Sequence, residues 1–244
     1  MVRLSVNVNK IATLRNSRGG QIPDVLACAR AIESYGADGI TVHPRPDERH
    51  IRRSDVYALK EIILGEFNVE GYPSEHFLQM MEEVKPTQVT LVPDPPNVLT
   101  SNTGWDCKTN ISFLSEVVAR LKSIPVRVSI FINADPQQVE WAARTGAHAV
   151  ELYTEPYAAA WARSPEEGRK ALEPYKETAL KAREFGLFVH AGHDLNLHNL
   201  SYLAAHLPGL REVSIGHALI SDALWYGLQN TVAMYKRCLS TIAP

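Results

Sequence analysis

The chain is poor in cysteine, has no long apolar run and shows no strong excess of either charge. Three cysteines occur in 244 residues, Cys28, Cys107 and Cys238, widely spaced and without a C-x-x-C pair. Their odd number and spacing argue against a disulfide framework or a structural zinc site. No apolar stretch approaches the ~20 residues a membrane-spanning helix requires. The opening MVRLSVNV reads as a strand and lacks the basic start and long apolar core of a signal peptide. Lysine and arginine form no block and the formal net charge is only -2, so neither nucleic acid nor a membrane is an expected partner. Arg49, Arg52 and Arg53 are too few for a basic arm. No G-x-G-x-x-G follows the first strand, which weakens a dinucleotide-binding reading, and no H-x-x-x-H or H-x-H pair specifies a metal. A reducing, cytoplasmic setting is the expectation.

What is present is a rhythm. At 45% hydrophobic and 21% charged, the composition is that of an ordinary folded protein. Eight short β-rich runs recur: Leu4–Val8, Gly39–Val42, Phe67–Glu70, Gln88–Val92, Val126–Ile132, Ala149–Tyr153, Leu187–Val189 and Glu212–Ile215. Amphipathic stretches separate them, among them PDVLACARAIESYG, SDVYALKEIILG, PSEHFLQMMEEV, DPQQVEWAARTG and SPEEGRKALEPYKETALKAREFG. Several open on Ser, Asp or Pro and close on Gly, the start and stop signals of helices. Pro174 inside the last predicts a kink or break. SYGADGITVHP and RTGAHAVELYT echo each other as helix end, Gly-Ala turn, strand and polar exit. Strands alternating with helices form parallel βαβ units. Eight units in this length fit a single α/β domain, a closed (β/α)8 TIM barrel over residues 1–244, better than an open sheet.

In such a barrel the chemistry sits at the C-terminal ends of the strands. The first strand leads to Asn7 and Asn9, the second to His43 and Arg45, the third to Glu70. The sixth supplies Glu151, the seventh His193, and the eighth Gly216 and His217. One histidine at a strand end is usually structural; three with two glutamates on one rim point to a site. His50, His76, His148, His198 and His206 read as solvated or packing residues, while His190 is ambiguous and stands where it can point into the barrel. Glu70, flanked by Phe67, Val69 and Tyr72, is expected to have its carboxyl raised toward neutrality, although pairing with an arginine is an even alternative. In SIGHALISDAL, Gly216 precedes a helix whose first N–H groups and dipole favour a phosphate. AGHDLN is a second glycine-bearing turn. LVPDPPNVLTSNTGWDCKTN, after the fourth strand, has the length and composition of a lid over 93–110. His43, Glu70, Glu151 and His193 are also possible metal ligands, and Lys10 is the one lysine placed for a Schiff base.

The segments VNVNKIATLRNSRG, GADGITVHPRPDERHI, FNVEGY, LVPDPP, VELYTEPYA, AGHDLN and SIGHALI, in this order over nearly the whole chain, resemble the pyridoxine 5'-phosphate synthase family. The resemblance implies a barrel with extra helices, assembled as a homo-octamer and working without metal or organic cofactor. It implies condensation of 1-deoxy-D-xylulose 5-phosphate with 3-amino-2-oxopropyl phosphate to pyridoxine 5'-phosphate, phosphate and water. His43 and Glu70 would be proton acceptors, His193 the proton donor and Glu151 a transition-state stabiliser. Asn7, Arg18, Asp194, Gly216 and His217 would bind the amino-ketone phosphate. Arg45, His50 and Thr100, with Asn9 and Lys10, would bind the deoxyxylulose phosphate. The family's best-known form has Asp-His at Asn9-Lys10, Gly at Asp194 and Asn at His190. Two other expectations stand beside this one: a metal-dependent sugar-phosphate epimerase or aldolase, and a non-catalytic phospho-ligand sensor.

Overall fold

A computed structural model describes residues 1–94 and 102–240. Eight parallel strands close into a barrel in sequence order. They are β1 (Arg3–Asn7), β2 (Gly39–Val42), β3 (Glu66–Gly71), β4 (Gln88–Leu91), β5 (Arg127–Ile132), β6 (Ala149–Tyr153), β7 (Phe188–Gly192) and β8 (Leu210–Ile215). All eight expected strands are present. Around them run α1 (Asn9–Asn16), α2 (Val25–Ser34), α3 (Arg53–Lys60), α4 (Glu75–Val84), α5 (Ile111–Leu121) and α6 (Pro136–Arg144). The ring continues with α7 (Glu155–Arg163), α8 (Pro165–Ala171), α9 (Glu173–Glu184), α10 (Leu200–His206), α11 (His217–Tyr226) and α12 (Leu228–Ser240). The helices additional to one per strand follow β1, β6 and β8.

The local signals explain where helices begin. Asp24 accepts bonds from the N–H groups of Leu26 and Ala27, Ser74 from Phe77, and Asp135 from Gln137 ahead of Pro136. Such caps satisfy first-turn donors that have no partner within the helix. The echoed segments are indeed equivalent: Gly36 after α2 and Gly146 after α6 stand at φ +105° and +82°, each turning the chain into the next strand. Pro174 produces a break, because α8 ends at Ala171 and α9 starts again with the proline in its first turn.

Strand alternation divides the core in two. Leu4, Val6, Ile40, Val42, Val69 and Val89, with their counterparts on the other strands, are fully buried beneath the helices. Each such side chain contributes about 1.5–3 kcal/mol. The barrel interior is polar where barrels usually carry branched apolar residues. Ser5 and Thr41 join hydroxyls at 2.7 Å, Asn68 Nδ2 donates to Thr41, and Thr90 Oγ1 donates to Asn68 Oδ1 at 3.1 Å. Nearer the N-terminal end, Arg3 reaches Glu66 at 3.1 Å and Glu212 at 2.9 Å, and Arg127 meets both Glu66 and Gln88. Burial holds the Glu212 carboxyl protonated well above its ordinary range. Between β7 and β8 the register slips: Val189 pairs with Leu210 but His190 with Glu212, leaving Arg211 as one extra residue.

Candidate active site

The C-terminal ends of the strands surround a cavity of about 570 Å³. All the residues singled out from the sequence line it except Arg18 and Thr100. Arg18 is exposed in the connection after α1 and stands outside the cavity wall. Thr100 lies outside the described residues, as does 95–101 of the expected lid. The following part of that loop is anchored: Trp105 is buried, its N–H bonds Phe131 O at 2.8 Å, and its Nε1 donates to Leu91 O at 3.1 Å.

His43 follows β2, and its side chain approaches Glu70 on β3, Nδ1 to Oε2 at 3.8 Å. Burial first, then the charges of Arg45, His50 and Arg49, push the His43 imidazole well below its usual range and keep it neutral. Glu70 moves the other way. Burial, then the nearby Glu151 and Asp94, raise its carboxyl well above the ordinary value, against a hydrogen bond from Ser214 across the barrel. The direction agrees with the sequence, but its origin differs. Phe67 and Val69 share the opposite parity of the strand, so the barrel interior and neighbouring carboxyls do the work. Arg45 pairs with Asp94 at 2.7 Å, both buried.

Glu151 corrects the strand-end picture. β6 continues through Leu152 and Tyr153, so Glu151 reaches the cavity from inside the barrel. It accepts from Thr90 Oγ1 at 3.4 Å, and burial brings its carboxyl up to about 7. Its Oε1 passes so close to β7 that a Cβ on Gly192 would lie 2.2 Å away. A side chain there would have to push the Glu151 carboxyl aside. Asn9 Oδ1 accepts from the His43 N–H at 3.0 Å, and Asn7 Oδ1 from the Asn9 N–H at 3.0 Å. The Asn9 carbonyl therefore holds the His43 backbone, a task the carboxylate of the family's Asp form can equally perform.

His50 is the clearest revision. Read as solvated or packing on its residues alone, it is half-buried in the cavity wall, with Nδ1 accepting from Ile51 N at 2.9 Å. Burial and the charges of Arg45, Lys10 and Arg49 lower it to about 4. His190 points into the barrel, and neither ring nitrogen has a hydrogen-bond partner among the described residues. Burial lowers it to about 3. Sequence reasoning left out Thr13, Arg49, Val92, Phe131 and Ser214, which also line the cavity. Alternation offered a signal for three of them: Val92, Phe131 and Ser214 lie two residues from Thr90, Ser129 and Gly216 on inward-facing rows.

Lys10, Arg45 and Arg49 give the mouth a cationic wall beside His217, and Gly216 precedes the first turn of α11 at its edge. That combination of N–H groups, helix dipole and fixed positive charge suits a phosphate. Facing it stand an imidazole held neutral, a carboxyl raised well above its ordinary range and a second carboxyl brought up to about 7. Among the described residues no three His, Cys, Asp or Glu side chains are grouped as a metal site.

Fold and cavity together define a (β/α)8-barrel enzyme with titratable groups beneath a rim suited to an anion. The chain belongs to the family described as pyridoxal phosphate biosynthesis protein PdxJ, whose profile matches residues 4–241. It is 57% identical over 239 residues to the pyridoxine 5'-phosphate synthase of Bacteroides thetaiotaomicron, covering 98% of this chain and 100% of that one. It is 56% identical over 239 residues to that of Phocaeicola vulgatus, covering 98% and 99%. Among solved structures, the 3-keto-L-gulonate-6-phosphate decarboxylase of Vibrio cholerae superposes with a TM-score of 0.66 at 12% identity, over 100% and 99% of the two chains. That likeness is one of fold.

Proposed function

We propose that this chain is a pyridoxine 5'-phosphate synthase that condenses 1-deoxy-D-xylulose 5-phosphate with 3-amino-2-oxopropyl phosphate. The observation that carries the reading is the convergence of His43, Glu70, Glu151 and His193 on one cavity with a phosphate-suited rim. Imine formation, phosphate loss, water addition, ring closure and dehydration each move protons, and one base could hardly serve them all. Neutral His43 is ready to accept a proton from the start. Glu70, its carboxyl raised by burial and by the nearby Glu151 and Asp94, is the second proton acceptor. His193 acts as the donor, and Glu151 stabilises charge that develops between the strands. The amino-ketone phosphate takes Asn7, Gly216, His217 and the backbone N–H of Asp194. Arg45, His50, Thr100, Asn9 and Lys10 take the deoxyxylulose phosphate. Arg18 lies outside the cavity wall, so its part requires the connection after α1 to fold over the mouth or a second copy to supply it.

A homo-octamer follows from the same reading. Leu224, Trp225 and Tyr226 at the end of α11 support assembly, being exposed in succession on one chain. A solution mass of eight chains is the expected result. The three free cysteines suit a reducing cytoplasm, and no described helix is long and apolar enough to cross a membrane.

The test is to mix chelator-treated protein with both phosphorylated ketones and follow pyridoxine 5'-phosphate and released phosphate. Equal appearance of the two is expected. Activity lost with the chelator would favour the metal-dependent reading, and binding without product would remove the synthase assignment.

A further inference from the structure

His193 and Asp194 are consecutive side-chain-bearing residues at φ +88° and +60°. Such residues are strained and persist where the surroundings over-determine them. Here they do. The backbone N–H and hydroxyl of Thr154 bond Gly192 O at 2.9 and 2.7 Å, and the hydroxyl also bonds His193 O. Asn199 Nδ2 and Asn196 Nδ2 hold Asp194 O at 3.3 and 3.4 Å. Tyr153 braces the imidazole from the side, ring centres 5.2 Å apart and planes at 76°.

The turn brings together what an extended chain keeps apart, since successive side chains of a strand point to opposite faces. Asp194 Oδ2 lies 2.6 Å from His193 Nδ1. The bond from the imidazole also holds the Asp194 carboxyl below its ordinary range. A carboxylate in that place is an acceptor only, so it selects the tautomer with its proton on Nδ1. Nε2 is then the nitrogen that exchanges protons with a bound molecule. Glycine, which the resemblance gives for the family's best-known form, can adopt this φ without strain but brings no carboxylate.

We propose that Asp194 is a positioning residue for His193, fixing the imidazole's orientation and keeping its second proton site on Nδ1. The inference rests on His193 being the proton donor, as assigned above. It also gives the Asp194 side chain a task other than contact with phosphate.

The test uses Asp194→Gly and Asp194→Asn in the full chain. Histidine ¹⁵N NMR, with the His193 signal identified by its loss in His193→Gln, reads the tautomer directly and needs no turnover. The wild type is expected to carry Nδ1–H, and Asp194→Gly to move toward Nε2–H. Turnover of Asp194→Gly should fall about 10- to 100-fold with both KM values changed less than about threefold. Asp194→Asn, which keeps an acceptor but no charge, should fall between. Because glycine relieves the positive φ, the Gly variant should unfold no more easily than the wild type, which separates positioning from misfolding. An unchanged tautomer overturns the proposal, as does a retained kcat or a loss confined to KM. A shifted tautomer in a protein that makes no product would uphold the pairing while removing the synthase reading.

Discussion

Replacing Glu151 by Gln should abolish a pH-dependent loss of stability. Glu151 is 4% exposed, and burial lifts its carboxyl from the ordinary 4.5 to about 7. Below pH 4.5 the folded and unfolded chains both hold the proton, so this group adds no pH dependence. Between pH 4.5 and 7 the unfolded chain releases the proton while the native chain keeps it, and stability falls as pH rises. At about 1.4 kcal/mol per pH unit, that interval amounts to about 3 kcal/mol. Above pH 7 both states are ionised and the loss is complete. Gln preserves the volume and the acceptor for Thr90 but cannot ionise. Glu70 differs between the two proteins only once Glu151 ionises, since the Glu151 charge is one cause of its raised carboxyl. Urea unfolding at intervals from pH 4.5 to 8 should therefore show a difference that grows by about 3 kcal/mol in favour of Glu151→Gln and then levels off. A difference flat to within about 0.5 kcal/mol, near the error of the extrapolation, would refute the reasoning.

Two further outcomes follow from the same interior. In Gly192→Ala the added methyl would stand 2.2 Å from Glu151 Oε1 and must displace it. Unfolding should become easier by about 1–3 kcal/mol, and turnover should drop by about a hundredfold; denaturation and kinetics on one sample check both. His190→Asn should make the protein tolerate acid better. The buried imidazole, lowered to about 3 from 6.5, stays neutral while the unfolded chain gains a proton below pH 6.5. Stability is thus lost as pH falls, by about 3 kcal/mol at pH 4.5, and the variant should escape that loss in unfolding measured at pH 7 and 4.5.

The barrel was legible because strands buried beneath helices carry dense apolar runs and the helices between them carry their own caps. The reading was weakest where polarity entered a strand. The seventh run seemed to end at Val189, yet His190, Ala191 and Gly192 continue β7, because inward positions of this barrel are polar or small. Glu151 was found, and its run was bounded correctly at Tyr153, but it was grouped with the strand-end residues although two more residues of the strand follow it. α1 lacked a recognisable start: Val8 at its N-cap makes no side-chain bond. At the site, residue type and strand position located His43, Glu70 and His193. They could not reveal that Asn9 holds the His43 backbone or that Asp194 folds onto His193, since both depend on distances between separate turns. His50 looked solvated because its sequence neighbours are charged, whereas the barrel rim half-buries it.

Arg211 lies near the opposite end of the barrel from any chemistry. Its side chain rests over the Phe188 ring, 3.8 Å from the centroid. As the extra residue of β8, however, it fixes the phase of everything after it. With side chains alternating at every paired step, Glu212, Ser214 and Gly216 face inward only because Arg211 is passed over in the pairing. Were Arg211 to pair in register instead of bulging, Val213 and Ile215 would turn into the barrel, Ser214 would point outward from Glu70, and the start of α11 would swing half a turn from the rim. A one-residue difference about 16 Å down the strand would therefore rewrite the anion-binding edge without touching a single residue of it.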